Sequence, residues 1–141
     1  MKTRFTPLVI IKKNSMDTSE RELQRANADV TRAQKALDEA LATLNMLELP
    51  FSGSVSDLLQ GRTLIESARA FVDKNREWLL FAQTQRDFAQ TALKETMMEF
   101  EKFKYLEAQE IQAALKKEKL AQAKELDEIA GQAFFRNKEV L

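Results

Sequence analysis

Leu23, Ala26, Val30, Ala33, Leu37, Ala40, Leu44 and Leu47 recur at alternating spacings of three and four, and all of them are apolar. Such a heptad seam marks a helix whose apolar stripe needs a partner helix. Extended backwards, Met16, Val9 and Phe5 keep the phase, while Ser19 and Lys12 break it. Thr6 before Pro7 supplies a good N-cap and first helical residue, so the pattern predicts one helix from Pro7 to Glu48. Ser19 with Glu22 is itself a capping box, which leaves a kink or second start near Asn14 to Thr18 open.

The second half of the chain answers with its own seam. Ile65, Ala68, Val72, Asn75, Leu79, Ala82, Arg86, Ala89, Leu93, Thr96, Phe100 and Phe103 share one phase, with three polar interruptions. From Leu64 to Ala130 there is neither proline nor glycine. Thr63 with Glu66 forms a capping box at its start, and Gly131 offers a stop. A helix of that length measures roughly 100 Å. Between the two seams, residues 49–62 hold Pro50, Gly53 and Gly61, the residues of turns and helix breaks. The chain is expected to fold back there. Ser54 with Asp57 caps one short turn ending at Gly61, and Phe51, Leu58 and Leu59 cover the helix ends.

If Glu48 lies opposite Thr63, equal rise along antiparallel helices sets Leu8 opposite Phe103. Beyond Phe103 the next seam positions are Glu107 and Glu110, so the seam fails where its partner runs out. The prediction is an all-α, elongated antiparallel two-helix coiled-coil hairpin whose longer C-terminal helix overhangs the pair. One domain spans 1–141, with helix 1 at about 7–48, the tip at 49–62, and helix 2 at about 64–130 with an extension to 136. The overhang, Lys104 to about Arg136, would reach some 40 to 50 Å past the pair.

Two surfaces follow from this layout. The overhang is heavily charged, yet it keeps Ile111, Leu115, Leu120, Leu126, Ile129, Phe134 and Phe135, and a lone helix gains little from such residues in water. Either a partner protein covers them, or a second copy or the N-terminal arm does. Nearer the tip, Phe71, Trp78, Phe81 and Phe88 sit beside the seam, and with Ala82 and its seam neighbours they make a broader apolar face than one helix can bury. Either this face is a binding surface, or the aromatics fold over the seam against Leu41 and Met46.

Composition narrows the chemistry. The 22 basic and 22 acidic residues cancel and are interspersed, which argues against nucleic acid as a partner. With no cysteine there is no disulfide framework or thiolate chemistry, as a reducing compartment allows. With no histidine, the usual zinc sites, Ser-His triads and Glu-x-x-His di-iron sites are absent, and no Gly-rich phosphate loop occurs. Acid pairs such as Glu99 and Glu101 lie beside lysines on solvated helix, with no pocket to tune them. Neither an enzyme nor a bound cofactor is expected. The apolar run Phe5, Leu8 to Ile11, flanked by Lys2, Arg4, Lys12 and Lys13, is too short to span a membrane and is read as helix. An amphipathic contact with a membrane surface is the lesser alternative there.

The N-terminal Phe5-x-x-Leu8-Val9-x-x-Lys12-Lys13, the heptad helix, the central break, and the longer second helix ending Lys124-Glu125-Leu126-Asp127-Glu128-Ile129-Ala130 before Arg136 together resemble the flagellar export protein FliJ family. The resemblance implies a cytoplasmic, non-enzymatic stalk of the flagellar type III export apparatus, similar to the γ subunit of rotary ATPases. Its terminal pole would sit in the hexameric export ATPase, FliI, and another part would contact the membrane-embedded export gate, FlhA. Export chaperones would be further partners, and association with the membrane would be peripheral, through partners. On that reading Arg4, Lys12, Lys13, Leu120, Leu126, Asp127 and Arg136 are candidate ATPase contacts. Phe71, Trp78, Phe81, Ala82 and Leu41 are candidate FlhA contacts. The alternatives are a coiled-coil export chaperone or adaptor without a rotary partner, and a self-assembling rod.

Overall fold

The structure, a computed structural model, describes residues 2–48 and 53–140. Two helices account for nearly all of them: α1, Thr6–Met46, and α2, Val55–Val140. The fold is an all-α helical hairpin in which the two helices pack against each other.

Local chemistry explains where each helix begins, and not always as the sequence suggests. Thr6 is the first residue of α1 rather than its cap. The Phe5 amide donates to Thr3 Oγ1 at 3.1 Å, and the Thr3 amide donates to Thr6 Oγ1 at 2.9 Å. Phe5 itself provides the first carbonyl of the helical ladder, accepting from the Val9 amide at 2.9 Å. Pro7 then falls in the first turn, where its missing N–H has no partner to lose. At the other end α1 stops at Met46, two residues short of the expected Glu48, and tightens with a Leu47 amide to Leu44 carbonyl bond.

The start of α2 differs more. Ser54 and Asp57 do form a capping box, with the Asp57 amide donating to Ser54 Oγ at 3.2 Å and the Ser54 amide to Asp57 Oδ2 at 3.4 Å. That box opens the whole of α2, not one short turn. Gly53 takes φ 142°, a backbone conformation that residues with a Cβ rarely adopt, and so lets the chain enter the helix there. At the second expected start, Thr63 is helix interior and its hydroxyl donates back to the Leu59 carbonyl at 2.9 Å. Most of the expected tip is thus helix. Leu58 and Leu59 lie on α2 with about half their surface in solvent, while Phe51 and the rest of 49–52 lie outside the described residues. Gly61 and Gly131 interrupt nothing. A glycine inside a helix costs about 1 kcal/mol relative to alanine, less than the flanking turns supply.

The chain divides into two compact units, each drawing on both helices: Ser15–Thr96, and Met1–Asn14 with Met97–Leu141. Within Ser15–Thr96 the predicted seams meet. Leu37, Ala40 and Val72 form the centre of the core, and Leu41, Leu44 and Leu79 pack around them. Ala26, Ala33 and Ala82 are buried with them, Ala33 completely. Every second seam position of α1 here is Ser19 or an alanine, and α2 matches with Ala68, Ala82 and Ala89. Short side chains let helix axes approach towards the lower end of the usual 8–10 Å range. The polar seam residues are accommodated rather than excluded. Ser19 is buried, and buried Asn75 satisfies its amide on its own helix by donating to the Phe71 carbonyl at 2.8 Å. Ser19 lies within unbroken helix, so no kink or restart occurs near it.

The unit of Met1–Asn14 with Met97–Leu141 is held differently. The rings of Phe5 and Phe103 meet at 6.4 Å between centroids, tilted by 49°. Lys12 Nζ lies 3.7 Å from Glu99 and 5.5 Å from the centre of the Phe103 ring. Arg4 Nε lies 3.5 Å from Glu110, and its guanidinium rests over Phe5 at 5.0 Å. No described side chain of this unit is fully buried. The expected end of the seam at Phe103 is therefore too early: Leu106, Glu107, Glu110 and Ile111 are all partly shielded. The reason is that residues ahead of Pro7 continue to run along α2, with Arg4 supplying a cation where the seam turns acidic.

Candidate interaction surfaces

From Gln112 to Ala130 every residue of α2 is exposed, and so is each from Gln132 to Lys138. The bare stretch therefore begins near Gln112, not Lys104. Leu115, Leu120, Leu126, Ile129, Phe134 and Phe135 all present large apolar surface to solvent there. Among the described residues the N-terminal arm does not cover them: its ion pair with α2 reaches Glu110, and every one of these side chains is exposed. Phe134 and Phe135 meet edge to face at 6.3 Å, and Lys138 caps Phe134 at 5.9 Å.

The sequence-based ATPase contacts fall into two groups that this unit does not bring together. Arg4 and Lys12 are engaged with Glu110 and Glu99 and with the aromatic rings, while Lys13 is exposed. Leu120, Leu126, Asp127 and Arg136 follow on the bare stretch, Arg136 lying roughly 39 Å along the helix from Glu110.

The aromatic face belongs to Ser15–Thr96. Phe71, Trp78, Phe81 and Phe88 are 59%, 42%, 61% and 68% exposed, so they do not fold over the seam; Met46, a proposed cover, is itself 82% exposed. Leu64, Phe71 and Trp78 fall seven residues apart, as do Phe81 and Phe88, which places them along one flank of α2. Phe81, Gln85, Phe88 and Ala92 line a groove with Glu22, Arg25 and Asp29 of α1. The alanine seam explains the exposure. A seam of short side chains favours close approach of the helices, which leaves little room between them for a ring at a flanking position.

Two of the residues assigned to this face by sequence are elsewhere. Ala82 is buried in the seam and Leu41 packs on the core cluster, so they support the aromatic flank from beneath. Phe88, already part of the expected face, is exposed as well, and Leu64 is the exposed apolar residue to add; its seven-residue spacing from Phe71 was the signal. Among the described residues no cluster of carboxylates is placed to hold a metal ion, and no helix is long and apolar enough to cross a membrane.

Compared with models of known families, the chain matches the one described as FliJ, the flagellar FliJ protein, over residues 1–139. No curated protein and no solved structure matches it.

Proposed function

Since the chain belongs to the flagellar FliJ family, whose members are non-catalytic components of flagellar export, we propose that it acts as a coupling stalk between the export ATPase and the export gate. The observation that carries this reading is the bare stretch of α2. An exposed helix with six large apolar side chains over Leu115–Phe135 is suited to enclosure by a surrounding protein, and a ring of ATPase subunits offers such an enclosure. In this role Leu120, Leu126, Asp127 and Arg136 contact the FliI hexamer directly. Lys13 is available at the N-terminal end, whereas Arg4 and Lys12 act by holding the N-terminal arm on α2.

The aromatic flank then serves the second partner. Phe71, Trp78 and Phe81 are rigid, amphipathic anchors of the kind that dominate binding patches, and they are proposed to receive FlhA. The protein would work in the cytoplasm, drawn to the inner face of the membrane by these partners, with export chaperones as further clients.

Truncation after Leu120 tests the first contact. Stimulation of the ATPase should be lost while the melting of the remaining hairpin is unchanged; undiminished stimulation refutes the stalk role. For the second, Trp78→Ala should weaken FlhA binding at least tenfold, within the range of a buried aromatic anchor. A large drop in melting temperature with intact binding would return Trp78 to the core.

A further inference from the structure

The outward face of the N-terminal part of α1 carries exposed apolar residues that neither export contact uses, beside a cation, Lys13, that one of them does. Ile10 and Ile11 are each more than half exposed, and Leu8 is exposed beside them. Between Lys2 and Met16 the chain has four cations, Lys2, Arg4, Lys12 and Lys13, and no acidic residue. The opposing stretch of α2, Met97 to Ile111, brings Glu99, Glu101, Glu107 and Glu110 with Lys102 and Lys104, so in sequence four acids stand against six cations.

The fold separates them. Glu99 and Glu110 are half-buried where Lys12 and Arg4 meet them, and Glu107 is half-buried too. That leaves Lys2, Arg4, Lys13, Lys102 and Lys104 exposed against the single exposed acid Glu101. Lys102 and Lys104 rest over the Phe103 and Phe100 rings, so their stems lie along the surface while their ammonium groups face water. Met97, Met98 and Tyr105 add exposed apolar surface to the same unit. A short helical face with two adjacent isoleucines, flanked by cations and cleared of acids, has the make-up of an interfacial segment.

From this sorting of charge we infer that the outward face of α1 around Ile10 and Ile11 binds anionic lipid surfaces directly. The isoleucines enter the headgroup boundary, and Lys2, Arg4 and Lys13 pair with lipid phosphates. Two signals of this kind, modest apolar burial and a few cations, give reversible attachment. Lys13 would not serve lipid and the ATPase at once, so the two contacts compete for it. The inference does not rest on the stalk reading, because its test contains no ATPase.

The test is co-sedimentation of the full chain with vesicles of phosphatidylcholine alone or with about 30 mol% phosphatidylglycerol, at low and high salt. Binding is expected to the anionic vesicles only, and to weaken as salt rises. Lys2→Ala with Lys13→Ala should lower partitioning by roughly fivefold per cation. Ile10→Asp with Ile11→Asp should abolish it, with an unchanged melting temperature since both side chains already face water. Equal binding to neutral vesicles overturns the inference, as does indifference to the isoleucine pair. Loss of binding in Phe134→Ser with Phe135→Ser would assign the contact to the bare end of α2 instead. Absence of binding to the anionic vesicles at low salt overturns the inference too.

Discussion

The two units join the same two helices by different means. In Ser15–Thr96 the seam is apolar and thin: Ala26, Ala33, Ala40 and Ala82 are buried, and larger side chains such as Leu37 and Val72 fill what the alanines leave. In the unit of Met1–Asn14 with Met97–Leu141, a tilted ring pair and two long ion pairs join the helices, and no described side chain is fully buried. Burial of apolar surface contributes far more than exposed ion pairs, which are worth about 0–1 kcal/mol each. One unit is therefore a firm joint, and the other a light clasp that leaves α2 bare beyond it. The difference places the buried seam beneath the aromatic flank and leaves the long exposed stretch of α2 outside it.

The comparison can be broken most forcefully at the firm joint. Leu37→Ala removes the largest side chain of its core cluster and should cost about 2–4 kcal/mol, read as a fall in the thermal midpoint. If it costs no more than a change in the other unit, the distinction fails. Ala33→Leu adds volume where no surface is left and should cost about 1–3 kcal/mol by forcing the helices apart. An increase in stability would show that the seam has room at this position. In the light clasp, Phe103→Ala should cost about 1 kcal/mol and act locally, with amide exchange rising across 6–14 and little change across 30–45. At the bare end Gly131→Ala should raise helix content in circular dichroism and stabilise the helix by up to about 1 kcal/mol. A Cβ there meets nothing within 4 Å, so a loss of stability would mean that Gly131 is needed by some contact of the folded chain.

Much of the joint was legible in the seams. All eight predicted positions of α1 from Leu23 to Leu47, and all twelve of α2 from Ile65 to Phe103, are buried or half-buried, because a two-helix interface repeats every heptad and leaves a periodic trace. Lys12 and Ser19 looked like breaks in that trace and prove to be members of it. The apolar pattern cannot show that a lysine stem packs on Phe103 while its charge reaches Glu99. Capping boxes were legible as motifs but not as boundaries. Ser54–Asp57 and Thr63–Glu66 have the same form, and only continuation of the helix through Gly61 decides that the first box starts α2.

The charge and hydrophobic periods of this chain were sufficient to determine that it is helical, that its helices pair, and that the C-terminal helix outlasts its partner. These follow from side chains repeating along a regular backbone. Only the tertiary structure decided that the aromatics beside the seam face solvent, that pairing persists to Glu110, and that Glu99, Glu107 and Glu110 are half-buried while Arg4, Lys13, Lys102 and Lys104 stay exposed. Each depends on how near the helices approach and on which residues stand opposite, and one strand of sequence carries no record of the distance to the other.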